Sequence, residues 1–247
     1  MKFNRAGYDE PVPSRAGGEP DVPVRRRRRP EYRAGRPTLT GEGIARAALE
    51  VLAGGGPAEL TMRAVATRLE VSPRALYNYV TDRRHLLELV VSVSQADRPA
   101  PRLDPARWQE SLREHCRDLR AWYRSHPGLL ALARAEDLTP FASPDTLRAD
   151  DVVVGFFLEV GLSPQNAYRA WAVTVLQVAG FAEIWDAWHD RPPPGTEPGG
   201  WNGLPRPLSP DDGLPSLRRA AGAASAAPDA LFESVLDMLV AGVEAMR

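Results

Sequence analysis

The chain has 247 residues, 31 basic and 32 acidic side chains, and a formal net charge of −1. That length holds one or two domains with a real core, and the charge balance argues against a general polyanion binder. One cysteine, Cys116, excludes an internal disulfide and points to a reducing, cytoplasmic compartment; no window is apolar enough for a signal peptide or a membrane span, so no membrane partner is expected.

Charge is unevenly placed. Residues 1–40 carry ten basic and five acidic side chains, residues 41–90 six and six, and residues 91–247 fifteen and twenty-one. A positive arm thus precedes a neutral segment and an acidic body, which suits a protein touching nucleic acid at one end. Residues 1–24 are rich in Gly, Pro and charge and read as disordered. Five arginines follow at 25–29, then Gly35-Arg36-Pro37. A basic arm over residues 1–37 would release counterions from phosphates. Arg36 has the setting of a side chain inserted into a narrow minor groove.

The first helix is expected over residues 40–53, capped by Thr40, with Ile44, Ala47, Ala48, Val51 and Leu52 as its apolar stripe. Gly54-Gly55-Gly56-Pro57 ends it. This glycine run follows a helix, not a strand, and lacks a following Lys-Ser/Thr, so it is no phosphate loop. Residues 61–86, TMRAVATRLEVSPRALYNYVTDRRHL, then read as two short helices around a tight turn. Thr61 caps the first; Val65, Ala66 and Leu69 share a face. Ser72-Pro73 is a cap and first-position pair opening a second helix over residues 73–79. Leu76 and Val80 point inward, which leaves Arg74, Tyr77, Asn78 and Tyr79 for phosphates and bases. This is a helix-turn-helix pattern. A longer helix follows, capped by Thr81 or Asp82 and ending before Pro99.

Asp104-Pro105 opens a second all-helical region, with Trp108, Leu112, His115 or Cys116, Leu119, and Trp122 or Tyr123 on its apolar side. Ser143-Pro144 and Ser163-Pro164 repeat the same grammar of helix starts. The second of these is expected to be the longest, running to Trp188. Residues 189–216 are dense in Pro and Gly and read as a flexible loop. A closing amphipathic helix is expected over residues 228–246, with an apolar stripe broad enough for pairing with a second subunit. The fold class is therefore all-α: a helix-turn-helix head over residues 38–84 and a larger ligand-binding and dimerisation body over residues 85–247.

The order IARAALEVL, a glycine stop, LTMRAVATRLEVS and ALYNYVTDRRHLLE resembles the DNA-binding head of the tetracycline-repressor (TetR/AcrR) family. The segments at 108–132 and 161–185 resemble that family's C-terminal domain. The resemblance implies DNA contacts from Thr61, Arg63, Ser72, Pro73, Arg74, Ala75, Tyr77, Asn78, Tyr79 and Arg83. Arg63 suits guanine and Asn78 adenine, Ala75 can pack on a thymine methyl, and Tyr77 and Arg83 suit phosphates. It further implies a homodimer on a double-stranded palindromic operator, with a small apolar or aromatic effector in the body.

Helices bearing His115, Leu119, Trp122, Phe157, Trp171, Gln177 and Phe181 could wall that effector pocket. The His that would match the magnesium–tetracycline site is absent around residues 133–137, and the four His show no paired ligand spacing, so neither metal nor cofactor is expected. No catalytic motif is present. The adjacent carboxylates Glu136-Asp137 and Asp150-Asp151 read as solvated helix ends. The reading is a non-enzymatic, ligand-responsive repressor; an activator of the same fold, or a helical carrier or enzyme, is the alternative.

Overall fold

The computed structural model describes residues 32–33, 36–37, 39–138, 143–192, 209–223 and 227–247. Two compact units result, Met1–Thr38 and Leu39–Arg247. Within the first, the described residues form a two-residue antiparallel pairing, β1 (Tyr32–Arg33) with β2 (Arg36–Pro37). The rest of the expected arm lies outside the described residues.

The second unit is helical throughout its described elements. Its head contains α1 (Gly41–Gly55), α2 (Met62–Arg68) and α3 (Pro73–Leu76), and α4 (Arg83–Ala96) leads out of it. Each helix starts where a short polar side chain can accept from an otherwise unpaired N–H. Thr40 Oγ1 accepts from Gly43 N at 3.0 Å, Thr61 Oγ1 from Ala64 N at 3.1 Å, and Ser72 Oγ from Ala75 N at 3.3 Å. Of the two cap candidates for α4, Asp82 takes the role, accepting from His85 N at 2.8 Å. Ile44, Ala48, Leu52, Val65, Leu76, Val80, Leu87 and Val90 are buried together, and α1 packs on both α2 and α4.

The turn between α2 and α3 is closed by backbone. Glu70 adopts φ 54°, its N–H reaches Thr67 O at 3.1 Å, and Val71 N reaches Ala66 O at 3.0 Å. This reciprocal pair is a Schellman closure, which most often uses glycine at the left-handed position. The α-helical part of the recognition helix is shorter than expected. It ends at Leu76, and Asn78 N and Tyr79 N continue in tighter three-residue bonds to Ala75 O and Leu76 O.

The body comprises a short 3-10 turn (Pro105–Arg107), α5 (Trp108–Ser125), α6 (Leu129–Ala135), α7 (Pro144–Glu159) and α8 (Pro164–Gly180). A π-helical segment (Phe181–Asp186) carries α8 on into α9 (Ala187–Asp190). A 3-10 turn (Pro210–Asp212), α10 (Pro215–Ala223) and α11 (Pro228–Met246) complete it. Ser143 and Ser163 cap α7 and α8 as the Ser-Pro pattern requires. Helix α5 is the centre of the body and packs on α8, the π segment and α11.

The expected loop over residues 189–216 is corrected at both ends. His189 and Asp190 are helical, Pro210–Asp212 is a capped 3-10 turn, and α10 begins at Pro215. Proline tolerates the first turn of a helix, so its density here marks helix starts as well as breaks. Residues 193–208 of that stretch lie outside the described residues.

Candidate functional site

The reading head shows one polar face. Thr61, Arg63, Ser72, Pro73, Arg74, Tyr77 and Asn78 are all exposed, Tyr77 at 54%. Their placement follows from the caps and from burial of Val65, Ala66, Leu76 and Val80 on the opposite side. Thr61 and Ser72 use one lone pair each to accept a backbone N–H, so both hydroxyl protons stay available to a phosphate oxygen. Ala75 is partly exposed. Tyr79 is half-buried and packs against the core, so it is held more firmly than Asn78 beside it. Arg36 stands on β2, in the other unit.

Arg83 has a different setting from the other head residues. Its guanidinium donates to the Leu60 carbonyl and, at 2.5 Å, to Glu136 Oε1 at the end of α6. Free phosphate binding by Arg83 would have to compete with both.

The body residues expected around one pocket do not line a common cavity. Leu119 and Phe157 are fully enclosed core, and His115 is buried. Burial, with the Arg98 charge nearby, pushes His115 down to about 4, so its imidazole is neutral at ordinary pH. Trp122 borders an open cleft of about 720 Å³ between α1 and α5, shared with Arg46 and His126. Its indole Nε1 donates to Ser94 O at 2.9 Å. Gln177 is exposed in a shallow groove between α8 and α11, beside Val173 and Met238. Phe181 packs edge-on to Phe232. Trp171 is half-buried beside Tyr168. Helical periodicity assigns a residue to the inner side of a helix, and that side is filled by core wherever two helices meet closely.

A second open cleft, of about 810 Å³, lies between α6 and the α8–π segment. Ala133, Leu138, Leu176, Gly180, Ile184 and Trp188 give it a largely apolar lining. Glu183 stands in the same wall, 3.7 Å from Arg134.

Charged ties join head to body and were not legible in the sequence. Arg98 at the end of α4 donates to Asp150 of α7 at 3.1 Å, with both side chains largely buried. Arg46 of α1 grips Asp97 with two bonds of 3.0 and 3.2 Å. Asp150 and Glu136 are thus paired groups, not the solvated helix ends expected of them. Their partners lie about fifty residues away, so no local spacing announces the pairs. Cys116 is buried and its thiol is pushed up to about 12 by burial, so it carries no nucleophile chemistry. Among the described residues, no three His, Cys, Asp or Glu side chains gather as a metal site.

The geometry accords with comparisons to known proteins. A family model described as "Bacterial regulatory proteins, tetR family" matches residues 44–90, and one described as "Tetracyclin repressor-like, C-terminal domain" matches residues 100–247. The HTH-type transcriptional repressor DrrR1 of Streptomyces coeruleorubidus is 31% identical over 156 residues, 62% of this chain and 54% of that protein. The chain thus spans about half the length of that relative. An HTH-type transcriptional regulator of Saccharopolyspora erythraea is 27% identical over 161 residues, 65% of this chain and 67% of that one. Among solved structures, the Streptomyces coelicolor TetR family protein ActR in complex with actinorhodin shares 26% identity, with a TM-score of 0.62 over 84% of this chain and 96% of that one. A possible TetR family transcriptional regulator from the same species reaches a TM-score of 0.66 at 26% identity, covering 84% of this chain and 100% of that one. Because the body match alone takes in residues 100–247, more than half of the chain, and the head match falls on the capped helix pair described above, the chain belongs to the tetR family of bacterial transcriptional regulators.

Proposed function

We propose that this regulator is a cytoplasmic repressor that binds a palindromic operator as a homodimer and is released by a small apolar or aromatic molecule held in the body. The observation that carries the DNA-binding part is the exposed row Arg63, Arg74, Tyr77 and Asn78 on one face of a helix-turn-helix whose opposite face is fully buried. Arg63 and Arg74 can offer paired donors to guanine, and Asn78 can bond adenine twice. Tyr77, Ser72 and Thr61 would fix the register on phosphates. Similarity to DrrR1, a repressor, supports the sign of regulation. Similarity to ActR, which has been crystallised with actinorhodin, supports an aromatic effector. Self-association is supported by the exposed apolar residues Val173, Leu176 and Met238 on α8 and α11.

Fluorescence anisotropy on a labelled duplex from the gene's own upstream region tests the reading. Arg74→Ala and Asn78→Ala are each expected to weaken specific binding by about 1–3 kcal/mol while leaving nonspecific binding nearly unchanged. A reporter in a deletion strain tests the sign: target transcription should rise when the protein is lost. A protein that shifts no upstream fragment even at low salt would sink the proposal, and a fall in transcription on deletion would make it an activator.

A further inference from the structure

Helix α1 is tied to the rest of the molecule at two points along one face. Near its start, Arg46 grips Asp97 with two bonds, and His126 at the end of α5 stands behind that carboxylate, its Nε2 at 3.4 Å from Oδ2. Near its end, the Ala53 carbonyl accepts from the Arg191 guanidinium. Residues 46 and 53 are two turns apart, about 10 Å, and share a face of the helix. Between the two ties the body stands off. Leu49, Glu50 and Ala53 front the open cleft of about 720 Å³, with Ala121, Trp122 and Ser125 of α5 on the far wall. Among the described residues, no hydrogen bond or ion pair crosses from one of these rows to the other.

An apolar contact lies beside the second tie. Leu52 rests against Gly128, where φ is 81° and an added Cβ would lie 3.2 Å from Leu52 Cγ. One point of contact is a pivot and does not fix a direction, whereas two polar ties seven residues apart do. The tie at Ala53 also meets a local need. The last turn of α1 holds no basic residue, and its carbonyls form the negative end of the helix dipole. Arg191, 138 residues away in the chain, supplies the charge that this end lacks.

Arg191 also ends a long rod. Helix α8, the π segment and α9 run without a break from Pro164 to Asp190, and Arg191 N closes α9 on Ala187 O at 3.0 Å. Leu176, 71% exposed on the association surface proposed above, lies about fifteen residues earlier on the same rod, roughly 22 Å away. One continuous helical element thus runs from that surface to the end of α1, and α1 packs on α2. In a two-fold dimer, the distance between the reading heads is fixed by whatever joins each head to the shared surface.

We propose that Arg191, with Arg46 as the second tie, determines which half-site spacing the dimer accepts, by pinning α1 to the rod that carries the association surface. This rests on the homodimeric, operator-binding reading above. Arg191 is a positioning residue and touches no base. With both ties made, a single spacing lets both heads engage, and the second head then binds as an intramolecular partner of the first. With Arg191 removed, α1 rocks about the Leu52–Gly128 contact into the open cleft, and other spacings come within reach.

The test uses the full-length protein and three labelled duplexes: the operator fragment from the gene's own upstream region, and the same fragment with one base pair inserted or removed at its centre. Each change moves the half-sites by about 3.4 Å and about a tenth of a turn. Affinities are measured by anisotropy for the wild type, Arg191→Gln, Arg191→Lys and Arg46→Gln, with sedimentation equilibrium and urea unfolding to record assembly and stability. The wild type is expected to prefer the natural spacing by about a hundredfold or more. Arg191→Gln and Arg46→Gln should lower that preference to about tenfold or less, chiefly by gaining affinity for the altered duplexes. Arg191→Lys keeps a charged donor and should retain most of the preference. A merely structural role would weaken binding to all three duplexes alike and leave the ratio unchanged, and that result overturns the proposal. Affinities and ratio that both stay at wild-type values overturn it as well, as does a wild type that binds the three duplexes equally. Arg46→Gln carries the same ratio test if Arg191→Gln does not fold. A wild type that binds none of the duplexes, or binds only as a monomer, overturns the repressor reading beneath the proposal and is recognised without any variant.

Discussion

His115 is 7% exposed on the inner side of α5 and carries no charge there. Its value of about 4 lies below the ordinary 6.5, chiefly through desolvation and further through Arg98. The unfolded chain therefore takes up a proton as pH falls through 6.5, whereas the folded chain resists until about 4. Stability attributable to this residue is full above pH 6.5, declines across the window down to pH 4, and then levels, with a total loss of up to about 3 kcal/mol. Urea titrations at pH 7 and pH 5 should show about 2 kcal/mol of that loss in the wild type, the remainder falling below pH 5, and a smaller one in His115→Gln. Equal losses in both proteins would show that His115 is not the responsible group. The sequence placed His115 or Cys116 on the apolar side of this helix, and both are there. It could not say that the side faced core and not a cavity, because that depends on how closely the neighbouring helices approach.

At the scale of elements, the least expected feature is the π segment at the end of α8. It carries Asp186, which is 1% exposed, against Arg120 of α5 through two bonds of 2.7 and 2.6 Å. The Arg120 guanidinium also lies 4.9 Å from the Phe181 ring and 4.5 Å from the Phe232 ring, and bonds Asp229 at 3.0 Å. One side chain thus fixes α5, the π segment and α11 in register. Removing one member of such a buried pair leaves an uncompensated charge, so Asp186→Ala is expected to cost about 3–5 kcal/mol. Replacing both partners by Arg120→Met and Asp186→Leu should cost less than the single change, as measured by chemical denaturation. If the double variant is the less stable, the pair contributes net stability beyond satisfying itself. The helix starts in this region were legible because a Ser-Pro cap is a local event spanning four residues. The π turn was not, because it answers to a partner sixty-six residues away.

For the whole molecule, head and body belong to one compact unit, joined by Arg46–Asp97, Arg98–Asp150 and Arg83–Glu136. All three ties meet α4 or the residues just after it: Arg83 opens the helix, Asp97 caps its end after Ala96, and Arg98 follows. On the outer side of the body, Leu176 and Met238 are 71% and 67% exposed on helices that pack against each other. Apolar side chains of that size and exposure on adjacent helices mark a surface for association. Met238→Glu is expected to shift the protein toward monomer at micromolar concentration in sedimentation equilibrium and to weaken operator binding at least tenfold. A variant that stays fully dimeric would move the interface elsewhere.

The sequence by itself determined the helical class, the position of nearly every described helix start, and the polar face of the reading head. These depend on interactions within one or two turns: a hydroxyl accepting from an N–H three residues on, a proline tolerated at the first position, an apolar residue every three or four. Thr40, Thr61, Ser72, Ser143 and Ser163 each cap where that local chemistry requires. Only the tertiary structure decided which buried faces are core and which border open clefts, and which charges are paired. Leu119 and Phe157 share the helical spacing of pocket-lining residues yet are sealed in the interior. Glu136 and Asp150 look like solvated carboxylates in the sequence and are ion-pair partners in the fold. The difference is one of range: capping is settled within a helical turn, while cavities and long-range ion pairs exist only once helices distant in sequence have packed.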